Sequence, residues 1–131
     1  MKNRDLVTIG DTKTSRYSNA FDCVSTLKLG GVITNVLHKN HKKMESAAEV
    51  YTSSRKALQE QYSVKDEEGK MKVIEGTKQI DFGDNLVKFN EEFDKLVECE
   101  IETEKFDIEP RLAQFSDLTL QQTDALYFLL T

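Results

Sequence analysis

Phe89-Asn90-Glu91-Glu92-Phe93-Asp94-Lys95-Leu96-Val97 runs without a break into Glu98-Cys99-Glu100-Ile101-Glu102, and the change of period between the two decides how the chain reads. Starting from Leu86, apolar residues recur at Phe89, Phe93, Leu96 and Val97, the three and four spacing that puts one helical face toward a core. Gly83-Asp84 offers this helix a start. From Val97 the period becomes two. Val97, Cys99 and Ile101 then share one face while Glu98, Glu100 and Glu102 share the other, as in a half-buried strand with an acidic outer row. The expected fold is therefore α+β: a long helix with a helical partner, a small β-hairpin, a short antiparallel sheet that includes residues 97–102, and a docked C-terminal helix.

Downstream, the apolar set moves to Phe106 and Ile108, the opposite parity, which requires a bulge or bend near residues 103–105. Pro110 ends the strand. Thr119 followed by Gln122 forms a capping box for a last helix whose Ala125, Leu126, Phe128, Leu129 and Leu130 make it apolar nearly all round, so it should dock into a core or an interface.

Upstream, residues 32–62 contain neither Pro nor Gly. As one helix they would span about 45 Å. The apolar stripe is narrow: Ile33, Leu37, Met44, Ala47, Ala48, Tyr51, Leu58 and Tyr62, interrupted by Asn40, His41, Ser54 and Arg55. A helix this long overhangs a small core, so its free part must lie against other chain segments or a second copy, most simply in a dimer. Between Ser63 and Asp81, Gly69 and Gly76 sit among short β-compatible pieces that read as a small hairpin. Before the long helix, Phe21, Val24, Leu27 and Leu29 suggest a short helix from Asn19 that Gly30-Gly31 stops. Residues 1–18, with Leu6, Val7 and Ile9 before Gly10-Asp11, fit a short edge strand or an ordered arm.

The whole reads as one domain, 1–131, since no repeat, low-complexity tract or linker divides it. A net charge of -5 argues against a general binder of nucleic-acid phosphates, which needs a cationic face. Cys23 and Cys99 are too few for a disulfide framework and fit buried thiols in a reducing compartment. There is no apolar run for a secretory signal or a membrane span, so the expectation is a protein of the cytoplasm without membrane contact.

Several separated segments resemble a family of small phage and prophage proteins of Gram-positive bacteria, domain of unknown function 1617. They are Asn3-Arg4-Asp5-Leu6, Leu27-Lys28-Leu29, Lys39-Asn40, Lys42-Lys43-Met44-Glu45, the charged loop at 65–69, Lys88-Phe89-Asn90-Glu91-Glu92-Phe93, residues 98–108 and the closure at 118–130. The chain differs from the family pattern at Gly30-Gly31, where a Pro-containing turn is common, and in its longer polar stretch from Gly10 to Ser18. The resemblance implies a small gene product of a mobile element, acting by binding in the host bacterial cytoplasm, with no catalytic residues to carry over.

The residues themselves offer few chemical constellations. His38, His41 and Glu45 can share a helical face, but three ligands from one helix without a second shell make a poor metal site, and a solvated face is preferred; no metal or other cofactor is expected. The basic run from His38 to Lys43, with Lys13, Arg16 and Lys28, is diluted around the helix, though an oligomer interface lined by Arg16, Lys39 or Lys42 would suit a small nucleotide. Glu98, Glu100 and Glu102 read as a solvated edge rather than paired acids. With Glu91 they are candidate contacts for a protein partner. A Gly-x-Ser-x-Gly turn, a phosphate-binding Gly loop and a Cys-His pair are all missing from the sequence. The functional expectation is a non-catalytic phage accessory protein that binds and inhibits a host factor, for instance one of defence. The alternatives are a virion or assembly component and an oligomeric sponge for a small nucleotide.

Overall fold

Helix α2, Gly31–Tyr62, is the longest of the described elements. The computed structural model describes residues 1–6, 15–112, 114–115 and 117–131. Around α2 lie α1 (Arg16–Val24), α3 (Leu86–Glu98), the single-turn α4 (Glu109–Leu112) and α5 (Leu120–Leu130), with short 3₁₀ turns at Asn3–Leu6 and Gly83–Asn85. Of the edge strand or ordered arm expected over residues 1–18, residues 3–6 form a 3₁₀ turn and 16–18 belong to α1, while 7–14 lie outside the described residues.

Among the described residues there is no sheet, and the α+β expectation is corrected to a helical fold with three isolated bridges: Lys2 with Glu100, Lys65 with Met71, and Val73 with Ile80. The strand expected at 97–102 fails for two reasons. Val97 also fits the helical phase of Leu86, Phe89 and Phe93, so α3 runs on to Glu98, and Cys99 lies exposed rather than on a buried face. Among the described residues, the segment that pairs with Glu100 is the N-terminus, which enters its 3₁₀ turn at Asn3 and so leaves pairing one residue long. Asn3 N–H donates to the Cys99 carbonyl and Ile101 N–H to the Met1 carbonyl, and the ladder stops there.

The hairpin expected between Ser63 and Asp81 becomes two tight turns, with Gly69 at φ 78° and Gly76 at φ 79° supplying the left-handed positions. Three backbone bonds tie the turns together: Val64 N–H to Asp81, Lys72 N–H to Val64, and Asp81 N–H to Lys72. Each arm is too short for more than its single bridge.

Helix α1 starts earlier than Asn19 because the Ser15 hydroxyl accepts from Ser18 N–H, and it ends at Val24, before the glycines. The capping box at Thr119 is present: its hydroxyl accepts from Gln122 N–H and Gln122 Oε1 accepts from Thr119 N–H.

The core sits at the first half of α2. Ile33, Ile108 and Leu126 are fully buried there, packed with Val24, Leu37, Met44 and Leu130. Asn40, which reads as an interruption of the stripe, lies in phase with it at 4% exposure. Its amide donates to the Glu104 carbonyl and accepts from Glu104 N–H, so one side chain satisfies the backbone of residue 104, which has no strand partner among the described residues.

The second half of α2 is covered within the chain. Asn85 reaches the Tyr62 carbonyl, and α3 then runs back along α2 until Asn3 binds the Leu96 carbonyl beside its far end. Tyr51 and Phe89 are buried between them. Of the two covers open to the long helix, another segment of the chain or a second copy, the chain's own α3 supplies the first.

Candidate functional site

A groove of about 630 Å³ opens where α3 leaves the tight turns and lies against α2. Its floor follows from spacing: Phe82 and Phe89 stack with ring centres 4.0 Å apart, and Phe93, one helical turn further, continues the stack at 5.7 Å. Gly83, at φ 51°, turns the chain into α3; a Cβ there would stand 3.0 Å from Val64. Asp81 Oδ1 accepts from Gly83 N–H and fixes the corner. Ile74 and Leu86 line the groove and remain 43% and 49% exposed.

The charged residues lining the groove are Arg55 from α2, Lys78 from the second turn, and Asp81. Neither cation has an ion-pair partner among the described residues; Arg55 rests 6.0 Å from the Tyr51 ring. An apolar floor with cations on separate walls suits an apolar group that carries negative charge. Sequence reasoning placed Phe89 and Phe93 in the core. The available signal was Phe82-Gly83 immediately before an aromatic helical stripe, which puts a third ring outside the helix on the same face.

A second cluster joins α1 to α2. Tyr17 Oη lies 2.8 Å from His41 Nδ1 and Glu45 Oε1 lies 3.1 Å from His41 Nε2, with Phe21 stacked on the imidazole at 4.4 Å. With Nε2 protonated, the ring donates to Glu45 and accepts from the Tyr17 hydroxyl. Burial, and secondarily the Glu45 charge, pushes the Tyr17 phenol up to about 12. It therefore stays protonated at neutral pH and serves as a hydrogen-bond donor between helices, not as a nucleophile. His38 is exposed and takes no part, and among the described residues no group of three His, Cys, Asp or Glu is placed to hold a metal.

The expected nucleotide-binding residues are not brought together. Arg16 pairs with Asp5 at 3.5 Å and lies over the Phe128 ring at 4.1 Å, Lys39 faces Glu104 at 3.8 Å, and Lys42 points to solvent. Arg16 lines a cleft with Lys2, Arg4 and Tyr127 to which Lys39 and Lys42 do not contribute. Of the expected partner contacts, Glu98 is used internally, binding both Lys2 and Arg4, and Glu100 is bridged to Lys2 through its backbone. Glu91 and Glu102 stay exposed, with no ion pair among the described residues. No helix among the described residues is long and apolar enough to cross a membrane.

Comparison with protein-family models, with curated proteins and with solved structures finds no match to this chain.

Proposed function

We propose that the chain is a non-catalytic accessory protein of a phage or prophage that binds a host protein in the bacterial cytoplasm and blocks it, and that the groove between α2 and α3 is its contact surface. The observation that carries the reading is the apolar rim: Ile74 and Leu86 stand roughly half exposed over three stacked phenylalanines. Covering such a surface returns about 25 cal/mol for every Å² of apolar area removed from water, and exposed aromatic grooves are the usual anchor points of protein interfaces. The phage setting comes from the resemblance of the segments quoted above. Glu91, on α3 but outside the groove lining, is available to contribute at the margin.

Affinity capture from a host lysate with the wild-type chain and with Leu86→Glu tests this reading. A host protein held by the wild type and lost by the variant supports it. Identical captures with the two chains remove the groove from the account.

A further inference from the structure

We infer that the groove takes an amphipathic helix whose apolar stripe is flanked on both sides by carboxylates; this deepens the reading of the groove as a contact surface and rests on it. Shape comes first. Helices α2 and α3 line it together with the turn segment from Ile74 to Phe82, and the surface between two packed helices accepts the side-chain ridge of a third. An extended peptide would need a sheet edge to pair with, and the described residues offer only isolated bridges. An apolar stripe at i, i+3 or i+4, and i+7 would set its side chains over Phe82, Phe89 and Phe93, between Ile74 and Leu86.

Charge then selects the flanks. Arg55 stands on the α2 wall and Lys78 on the turn wall, both exposed and without an ion pair among the described residues. The opposing charge, Asp81, has one carboxylate oxygen committed to Gly83 N–H. A chain of net charge -5 repels an acidic partner over most of its surface, but exposed charges beyond about 8 Å are largely screened at physiological salt, so the two local cations decide. A carboxylate on each side of the stripe meets Arg55 and Lys78 in turn.

The test is fluorescence anisotropy on the full chain with two synthetic helical peptides of about 18 residues, long enough to form helix, that share a Leu stripe and differ in Glu or Lys flanks. The Glu-flanked peptide should bind at least about tenfold tighter, the preference should shrink between about 0.05 and 0.5 M salt, and Arg55→Glu with Lys78→Glu should reverse it. Equal binding of both peptides, unchanged in the double variant, overturns the charge inference and leaves the groove as a contact surface. An apolar dye that binds wild type but not Leu86→Glu, with neither peptide bound, overturns the helix. A dye signal insensitive to Leu86→Glu, again with no peptide bound, overturns the inference and the contact surface together.

Discussion

The two halves of α2 are packed to different standards. Its first half sits against α1, α5 and Ile108, where Ile33, Ile108 and Leu126 have no exposed surface. Its second half carries α3 and two tight turns, with Tyr51 and Phe89 buried while Ile74, Leu86 and Val87 stand 43%, 49% and 67% exposed. One helix thus serves as the centre of a closed core at one end and as the wall of an open groove at the other. The difference teaches where stability and recognition are separated: side chains with no exposure hold the fold, and the half-exposed apolar rim remains free to act on something else.

Substitutions should divide along the same line. The largest effect is expected for Leu126→Ala, which removes a fully buried side chain from a closed core and should cost about 3 kcal/mol in denaturant unfolding. Asn40→Ala should cost about 2 kcal/mol, because both backbone groups of Glu104 lose their partner. Asn40→Asp should cost at least as much, since its carboxylate can accept from Glu104 N–H but would stand, buried and charged, against the carbonyl oxygen to which the amide donates.

Tyr17→Phe should cost about 1 kcal/mol at neutral pH by removing the hydrogen bond to His41. It also has a pH signature. The folded-state phenol is pushed up to about 12 from an ordinary 10.0, so the unfolded chain gives up its proton first, and the stability associated with Tyr17 is present below pH 10 and lost as pH rises toward 12. Unfolding curves of wild type and Tyr17→Phe should therefore converge over that interval; parallel curves would exclude this role. The smallest change is expected for Leu86→Ala, within about 0.5 kcal/mol of wild type, despite being the same substitution as at Leu126. A loss comparable to that of Leu126→Ala would erase the contrast between the two ends.

The sequence made the long helix, α3 and the Thr119 cap legible because each rests on a local rule: uninterrupted length, three and four spacing, and a reciprocal cap. The period of two at Val97, Cys99 and Ile101 misled for a non-local reason. Alternation makes a strand only when a partner of similar length lies beside it, and here the partner turns away at Asn3. Asn40 was in phase with the stripe all along, at the position between Leu37 and Met44, but a polar residue there signals a buried amide only once Glu104 is known to lie opposite. The groove was hidden for a related reason: periodicity marks Phe89 and Phe93 as facing inward, and the turns determine how much of that inward face is closed.

The bond between Asn40 and the main chain of Glu104 sets an unequal pattern of tolerance to change. Because position 104 is held through its N–H and carbonyl, any residue but proline can occupy it, and its exposed carboxylate adds only a surface contact to Lys39 at 3.8 Å. Position 40 has no such freedom, since it must offer a donor and an acceptor at one fixed reach. Related chains that share this fold should vary freely at 104 while keeping the amide at 40, an asymmetry between two touching residues that a search for co-varying pairs would pass over.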